Sequence, residues 1–559
     1  MSSLRASAVV LSVACLSVVS GCAISSGADV DESTREGAAA QTTFSYVGQR
    51  VADTLSATHA ASKQKTWNVT EGNALSAGWL LQTPLSTTWG QSVRDLSVSQ
   101  TCDPTTNARC DRDFKVLRCA TQADCTNGGL CATVQSTVAR STDIPRALCV
   151  GHSDAMYEHV YQVIASAEQF VDVTSLSPPD GRFEAAIRNA VTRLGSKNKA
   201  ITVRLMFGSY PGGAVDTGAV LSSLTRDLPA ASPMRVSVGA YRYNFDSWNH
   251  SKIVSADGAT AIVGGMNLWT QHYLDKDPVH DVSMRLSGPA ATETHRYANQ
   301  LWNFTCNSWS FGGTTSVTSF PGATSRCPAT FSGVSSPAVG TARVITVGRL
   351  GRVGDNASDD AQMAMIAAAK RTIYLTQQDL GPVKEAGIAI SSWPQPLLDG
   401  LSRALARGVD VYLVLSNANS TAGGLGSASG GYSNGYTPED TAQHIADYAE
   451  GHASYFATGT DVRALLCAHL HVAPLRPSSD DSWPDATPFA QHGKTIAVDE
   501  LAFYVGSHNL YPANLAEYGF IVDDSAATAT FVSTYWNQAW SNSRRVAVTG
   551  SDAPRCSLR

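Results

Sequence analysis

The sequence predicts an α/β protein of two similar α-β-α lobes, each with a mixed, largely parallel β-sheet flanked by helices. Three observations carry this prediction. Helical stretches alternate with short β-branched strands, one order of elements occurs twice, and both copies end in the same kind of passage. Alternating helices and strands favour parallel pairing through right-handed crossovers. A repeat of this length indicates two fused lobes related by a pseudo-twofold axis rather than a solenoid.

Each copy has the order helix, strand, helix, strand, as judged from the spacing of its apolar residues. The first copy has these elements at residues 156–170, 171–176, 183–194 and 201–207. The second copy has them at residues 361–370, 373–376, 397–406 and 409–415. A Ser/Pro/Gly-rich stretch at 332–341 separates the copies, so we place the N-terminal lobe at 46–335 and the C-terminal lobe at 342–548.

Both copies end in a His-x-Lys-x4-Asp motif that is followed by two small residues, one further residue and an Asn. The members of the two motifs are His250, Lys252, Asp257 and Asn267, and His492, Lys494, Asp499 and Asn509. In both copies the Asp follows the His by seven residues and the Asn follows it by seventeen. One such motif is expected by chance about once in a hundred chains of this composition, but two at matching distances are not credibly accidental.

The motif brings groups that suit phosphate to one place. Residues two apart on a strand point to the same face, so the His and the Lys project together, and the returning strand brings the Asn to the same end. A Lys ammonium and an Asn amide can donate to the non-bridging oxygens of a phosphate. Neither copy has both a nucleophile and an acid, so we predict one active site at the interface of the lobes. Asp257 and Asp499 are expected to be structural, holding turns or the Lys.

The N-terminus is typical of an export signal. Arg5 is the one charged residue before an apolar stretch, and Val-Ser-Gly-Cys ends this stretch at Cys22. We interpret residues 1–22 as a lipoprotein-type signal peptide with Cys22 as the lipidated residue, and residues 23–45 as a flexible tether. Ordinary signal-peptidase cleavage near Cys22 is the alternative. Either interpretation predicts export, to the cell envelope as a lipoprotein or as a secreted protein.

The cysteines support export. Six of the twelve lie within residues 102–149, where there is no His, so a disulfide-bonded insertion is favoured over a zinc site. Cys306 and Cys327 are expected to form a local bridge, and Cys467 with Cys556 is the pairing that remains. The net charge of −6 and the isoelectric point near 6.1 show no electrostatic signature of nucleic-acid binding, although local basic patches are compatible with these values.

The duplicated motif resembles that of the phospholipase D superfamily, and in detail the secreted actinomycete-type members. In the first half the resemblance is carried by Trp79–Pro84, Trp248–Lys252, Gly264-Gly265, Leu286–Ala290 and Leu301–Cys306. In the second half it is carried by Gln377–Leu380, residues 430–433, Ala502–Ser507 and Asn509–Pro512. It covers residues 67–540. Three features depart from the family pattern. They are the lipobox-like Val-Ser-Gly-Cys that ends at Cys22, the Cys-rich insertion, and Gly493, where relatives often have His.

The resemblance implies a two-step mechanism without a metal or another cofactor. His250 is expected to attack phosphorus and His492 to act as acid and base. The Lys and Asn residues of both motifs would hold the phosphoryl oxygens, with Ser507 lining the floor of the site. Carboxylates that orient the imidazoles are implied at Asp281 and at Glu517, where the family commonly has the shorter Asp.

The implied function is an exported phospholipase D that hydrolyses glycerophospholipids to phosphatidic acid and the headgroup alcohol, with transphosphatidylation when another alcohol replaces water. The expected partner is phospholipid at a membrane surface, with no nucleic acid and a monomeric chain. A loop at 422–433 is either a mobile rim that contacts the headgroup or a solvated loop. Two other functions stay open: a phosphodiesterase for another lipid or for nucleic acid, and a non-enzymatic surface module that binds a partner through the Cys-rich insertion.

Overall fold

The computed structural model describes residues 43–84, 86–126, 128–210, 213–307, 316–322, 327–385, 388–389, 391–418, 420 and 436–559. The predicted signal peptide, Cys22, the tether before residue 43 and the loop at 422–433 lie outside the described residues.

Two large sheets form the centres of the two lobes. The first sheet contains β2 (Leu80–Thr83), β5 (Phe170–Ser175), β6 (Thr202–Gly208), β7 (Arg235–Tyr243), β8 (Ser247–Trp248), β9 (Ile253–Ala256), β10 (Thr260–Gly264), β11 (Asp281–Ser287) and β12 (Ser316–Phe320). The second contains β1 (Trp67–Asn73), β13 (Ala342–Leu350), β14 (Thr372–Gln377), β17 (Asp410–Leu415), β18 (Leu470–Pro474), β19 (Lys494–Val498), β20 (Ala502–Gly506) and β21 (Ala516–Val522). Two hairpins stand apart, β3 (Leu130–Val134) with β4 (Arg146–Val150) and β15 (Lys384–Glu385) with β16 (Ile388–Ala389).

Helices cover both sheets. The α-helices are α1 (Tyr46–Thr58), α2 (Ala155–Ser166), α3 (Gly181–Ser196), α4 (Thr217–Thr225), α5 (Thr270–Tyr273), α6 (Ala290–Asn307), α7 (Ala357–Ala368), α8 (Gln395–Ala406), α9 (Pro438–Gly451), α10 (Val462–His469), α11 (Ser525–Phe531) and α12 (Asn537–Ser543). A π-helical turn, Val532–Trp536, joins α11 to α12. Short 3-10 turns are found at Ala60–Ser62, Ser86–Thr88, Gln122–Asp124, Gln135–Thr137, Gly351–Val353, Ala453–Tyr455 and Arg544–Val546. Within the described ranges, no helix has the length and apolarity needed to cross a bilayer.

The mixed α/β fold is confirmed, and the order helix, strand, helix, strand is found in both lobes as α2-β5-α3-β6 and α7-β14-α8-β17. The expectation of largely parallel sheets is wrong. Parallel pairing is confined to β5-β6-β7 in one sheet and β14-β17-β18 in the other, and the remaining strand pairs of both sheets are antiparallel. Each motif strand is joined to its neighbour by a short turn, and such a turn permits only antiparallel pairing.

The N-terminal lobe does not begin at residue 46. Strand β1 pairs antiparallel with β13 of the second sheet, with Val69 opposite Ile345. Helix α1 packs in the apolar core of the same lobe through Val47, Val51 and Leu55. Residues Tyr46–Asn73 therefore belong to the C-terminal lobe, because they cover the edge of β13 that would otherwise be unpaired.

Apolar residues form three cores. One lies between the first sheet and α2 and α3, and another between the second sheet and α1, α7, α8 and α9. The third contains residues of both sheets, such as Val263 and Met284 from the first and Phe503 and Phe520 from the second. The two lobes thus share a buried interface, and this interface fixes the position of one motif relative to the other.

The disulfide predictions are confirmed. All six cysteines of the Cys-rich insertion are paired, as Cys102–Cys110, Cys119–Cys131 and Cys125–Cys149. Cys306–Cys327 and Cys467–Cys556 are the other two bridges. The insertion docks on the first lobe, where Asp113 forms an ion pair with Arg188 at 2.8 Å and the ring of Phe114 packs against that of Tyr157.

Candidate active site

The two motifs meet at the interface of the lobes, where each His is bonded to the backbone of the other lobe. The N–H of His250 donates to the carbonyl of Ala516 at 2.8 Å, and the N–H of His492 donates to the carbonyl of His280 at 2.8 Å. Both imidazoles are buried. The structure therefore brings the two predicted histidines into one site, each held by the facing lobe.

The carboxylates that accept from the imidazoles are exchanged between the lobes. Nδ1 of His250 lies 2.9 Å from Oε2 of Glu517, and Nδ1 of His492 lies 2.7 Å from Oδ2 of Asp281. Ala516 and His280, whose carbonyls accept from the His backbones, directly precede Glu517 and Asp281 in the chain. The backbone hydrogen bond between the lobes therefore also positions the carboxylate. Because Nδ1 is engaged by a carboxylate, Nε2 is the ring nitrogen that is oriented for phosphoryl or proton transfer.

Each carboxylate is itself held by a hydroxyl. Ser507 donates to Oε2 of Glu517 at 2.6 Å and accepts from the N–H of Tyr518 at 3.0 Å. Ser507 was expected to line the phosphate site, but its single O–H is directed to the carboxylate, so it positions Glu517 instead. Tyr273 donates to Oδ2 of Asp281 at 3.0 Å. Tyr273 has no signal in the sequence, since one tyrosine on a four-residue helix forms no pattern.

The first motif needs a residue without a side chain at Gly265, two positions before its Asn. A Cβ at this position would collide with Oδ1 of Asp281. Ser507 is the counterpart of Gly265 in the second motif, fifteen residues after the His, and it uses the same proximity to bind Glu517.

The two lysines are buried and held by the carbonyl of their own motif. Nζ of Lys252 donates to the carbonyl of His250 at 2.6 Å, and Lys494 donates to the carbonyl of His492. Burial lowers the pKa of Lys252 well below its ordinary value and that of Lys494 to about 7. The charges of Glu517 and Asp281 offset only part of the cost of burying each ammonium, so both lysines are suited to receive a further negatively charged group.

Each motif asparagine has at least one amide atom without a partner among the described residues. Asn267 is 1% exposed, and neither its Nδ2 nor its Oδ1 has a hydrogen-bond partner among the described residues. Nδ2 of Asn509 donates to the hydroxyl of Tyr511 at 2.8 Å, while its Oδ1 has no partner in the described part of the chain. An unpaired buried donor costs about 1–3 kcal/mol, and a bound phosphoryl oxygen that accepts from Nδ2 of Asn267 would offset this cost.

The site keeps its imidazoles neutral. Burial lowers the pKa of His250 to about 4, with Glu517 opposing and Lys252 assisting. Burial, with the charges of Lys494 and Lys252, holds the pKa of His492 well below its ordinary value. Burial raises the pKa of Asp281, whereas His250 and Lys252 outweigh burial and lower that of Glu517.

The motif aspartates lie at the start of the central strands and not against the lysines. The carboxylate of Asp257 accepts from the N–H groups of Glu168, Gln169 and Phe170 at 2.7–2.9 Å. Asp499 accepts in the same way from the N–H groups of residues 370, 371 and 372, each at 2.7 Å. Of the two predicted roles, holding a turn or holding the Lys, the structure shows the first.

The chain is similar in sequence to a protein of known activity. Phospholipase D of Streptomyces antibioticus is 31% identical over 451 residues, which cover 70% of this chain and 77% of that protein. No protein-family model matches the chain. Among solved structures, phosphatidylserine synthase of Haemophilus influenzae Rd KW20 is similar with a TM-score of 0.47 at 13% identity, covering 70% of this chain and 85% of that one. Nuc of Salmonella typhimurium, a phospholipase D family member, is similar with a TM-score of 0.19 at 18% identity, covering 32% of this chain and 85% of that one.

Proposed function

The chain belongs to the phospholipase D family, and from this premise we propose that it is an exported phospholipase D that cleaves glycerophospholipids such as phosphatidylcholine to phosphatidic acid and the free headgroup alcohol. The observation that carries the proposal is the pair of buried imidazoles, each oriented through Nδ1 by a carboxylate of the facing lobe. The site therefore holds two imidazoles, one that can attack phosphorus and one that can protonate the leaving oxygen on the opposite side.

In the first step, Nε2 of His250 attacks phosphorus and forms a phosphohistidine. The bond from phosphorus to the headgroup oxygen breaks, and His492 gives this oxygen its proton, so the headgroup leaves as an alcohol. Glu517 stabilises the positive charge that develops on the attacking imidazole. We assign the nucleophile to His250 by analogy with the family, because the geometry of the two histidines is nearly symmetric.

In the second step, His492 takes a proton from a water molecule, whose oxygen attacks the phosphohistidine and releases phosphatidic acid. An alcohol in place of water gives a new phospholipid, which is transphosphatidylation. Lys252, Lys494, Asn267 and Asn509 neutralise and bind the phosphoryl oxygens in both steps. These residues supply the charge that the reaction needs without a metal ion.

The charge of the substrate favours protonation of His492 by solvent. Burial, with the charges of Lys494 and Lys252, holds the pKa of this imidazole well below its ordinary value. A phosphodiester anion between Lys252 and Lys494 offsets their charge and raises the pKa of His492. Bound substrate therefore favours the protonated form of His492, which takes its proton from solvent and gives it to the leaving oxygen.

The location outside the cytoplasm rests on the N-terminal sequence and on the cysteines. All ten cysteines beyond Cys22 are paired in disulfides, which form in oxidising compartments. We propose that the protein is attached through Cys22 to the cell envelope, or secreted if cleavage leaves Cys22 unmodified, and that it acts as a monomer on phospholipid at a membrane surface.

The test is headgroup release from mixed phospholipid vesicles by the wild type, by His250→Ala and by His469→Ala. His469 is a matched control, since it is a half-exposed histidine that pairs with Asp410 outside the site. We expect release by the wild type and His469→Ala only. Equal rates for all three proteins would contradict the assignment. Cleavage of DNA without headgroup release would favour the nuclease alternative, and folded protein that cleaves neither would favour the binding module.

A further inference from the structure

The two motifs differ at the residue between His and Lys, which is Ser251 in the first and Gly493 in the second. The hydroxyl of Ser251 lies 2.9 Å from that of Thr174, which also donates to the carbonyl of Ser251 at 3.0 Å. These contacts fix the turn that follows His250 to the central strand β5. Gly493 has no side chain to make the equivalent contact.

Another residue supplies a hydroxyl at this position in the second lobe. The counterpart of Thr174 is Thr376, since each is the fifth residue of its central strand, and Thr376 faces the carbonyl of Gly493 at 3.4 Å. The hydroxyl of Tyr535 donates to Oγ1 of Thr376 at 3.1 Å. Oγ1 of Thr376 also lies 2.7 Å from Oγ1 of Thr495, so in the second lobe two hydroxyls, one from the motif strand and one from the C-terminal helices, contact the threonine that Ser251 contacts in the first.

The space beside Gly493 is shaped for this tyrosine. A Cβ on Gly493 would lie 3.4 Å from the hydroxyl of Tyr535 and 3.1 Å from Oε1 of Gln491. Tyr535 is fully buried and belongs to the π-helical turn Val532–Trp536 between α11 and α12. Such turns are frequent at functional positions, because the extra residue in the turn changes the direction of a side chain.

Tyr535 also contacts the segment that holds His492 from the other lobe. Its ring stacks on that of His280, with centroids 5.6 Å apart and an interplanar angle of 16°. The carbonyl of His280 accepts from the N–H of His492, and the next residue, Asp281, accepts from its Nδ1. In the first motif the residue equivalent to His280 is Ala516, which has no ring for such a stack.

We propose that Tyr535 is a positioning residue for His492. Its hydroxyl fixes the turn after the histidine, and its ring supports the segment that orients the imidazole. This inference rests on the proposed function, since its consequence concerns the proton that His492 gives to the leaving alcohol.

Tyr535→Phe tests this inference, because it keeps the ring and removes the hydroxyl. Two diesters are compared by the rate of the first turnover: phosphatidylcholine, whose leaving alcohol needs a proton, and a p-nitrophenyl phosphodiester of the same lipid, whose leaving group does not. We expect first-turnover release of choline to fall roughly 10- to 100-fold, with KM unchanged and p-nitrophenol release near that of the wild type.

Ser251→Ala is the matched control, since it removes the corresponding hydroxyl next to His250. It is expected to slow both substrates, because both need the attack by this histidine. Gly493→Ser alone is expected to slow choline release, since its Cβ would lie 3.1 Å from Oε1 of Gln491, 3.3 Å from Val282 and 3.4 Å from the hydroxyl of Tyr535. In the Tyr535→Phe protein the same serine loses one of these neighbours and restores a hydroxyl, so the double variant is expected to recover part of the rate.

Three outcomes would contradict this expectation. An unchanged rate of choline release by Tyr535→Phe overturns the inference alone. An equal loss for both substrates, together with a lower melting temperature and no recovery in the double variant, assigns Tyr535 a merely structural role. Wild-type protein that releases neither choline nor p-nitrophenol contradicts the proposed function and this inference with it.

Discussion

His250 and Glu517 belong to different lobes, yet Nδ1 of the imidazole lies 2.9 Å from the carboxylate, and 267 residues separate the two in the chain. His492 and Asp281 repeat this relationship in the opposite direction at 2.7 Å. Each lobe therefore supplies one imidazole and orients the imidazole of the other. Neither lobe holds a complete site, because a His without its acceptor has no fixed tautomer.

Glu517→Gln and Asp281→Asn should have different kinetic effects, although both remove a negative charge from a buried carboxylate. The first removes the charge that stabilises His250 during attack, so formation of the phosphohistidine should slow about 100-fold or more. The second affects His492, so loss should be greatest for substrates whose leaving alcohol needs a proton. Rapid-quench measurement of the phosphoenzyme and of headgroup release separates the two. Identical profiles for both variants would contradict the exchanged pairing.

The pH dependence of kcat/KM should be bell-shaped with a mildly acidic optimum. Attack needs neutral His250, whose pKa is about 4, so kcat/KM should rise with pH through this value. Phosphate binding needs charged Lys494, whose pKa is about 7, so kcat/KM should fall as the pH rises above this value. Steady-state rates on a monomeric short-chain substrate from pH 3 to 9 test this. A flat profile from pH 6 to 9 would show that Lys494 stays charged.

Asn267→Ala should lower activity without lowering stability. It removes an amide donor to the phosphoryl group, so kcat/KM should fall about 100-fold. Because this buried amide has no partner in the described part of the chain, its removal should not lower the melting temperature. Gln162→Ala, on the outer helix α2, is a control for amide removal, with activity expected to be unchanged. A less stable Asn267→Ala protein would indicate that the amide has a structural role.

Asp257→Ala should lower stability and leave activity nearly unchanged, which is the opposite of the effect expected for Asn267→Ala. Three backbone N–H groups at the start of β5 lose their acceptor, so the free energy of unfolding should fall by about 3 kcal/mol. The rate per folded molecule should stay within about threefold of the wild type, because Asp257 contacts no group assigned to the chemistry. Urea denaturation and active-site titration measure the two quantities. Loss of kcat in fully folded protein would assign Asp257 a catalytic role instead.

Replacing Cys467 and Cys556 by Ser should lower stability without changing the chemistry. The bridge closes a loop with a sequence separation of 89 residues, so its removal should cost about 4 kcal/mol through the entropy of the unfolded chain. Thermal unfolding with and without a reducing agent measures this loss. The reducing agent should lower the melting temperature of the double variant less than that of the wild type, since one bridge is already absent.

The sequence predicted the elements whose signals are local. Helix α3 and strand β14 lie where the apolar spacing placed them, and the pairing of Cys306 with Cys327 follows from their proximity in the chain. The pairing of strands that are distant in the chain has no such local signal. Residues 46–73 precede the first copy in the chain, and nothing in their own sequence shows that their strand covers the edge of β13 in the other sheet.

The site shows the same division. Asp281 and Glu517 were found by resemblance, but which imidazole each carboxylate serves was not apparent. Ser507 was expected at the phosphate, whereas its hydroxyl turns to Glu517, a choice that depends on the register of β20 against β21. Tyr273 and Tyr535 cannot be predicted from the sequence, since an isolated tyrosine that reaches a motif from a distant helix has no periodicity or spacing.

The sequence by itself determined the chemical groups of this protein: two copies of an imidazole, an ammonium and an amide at equal spacing. It did so because a strand and a turn place residues of one motif together by local geometry alone. Only the tertiary structure decided which carboxylate orients which histidine, because those contacts join residues 211 and 267 positions apart and depend on how two sheets pack across a shared core.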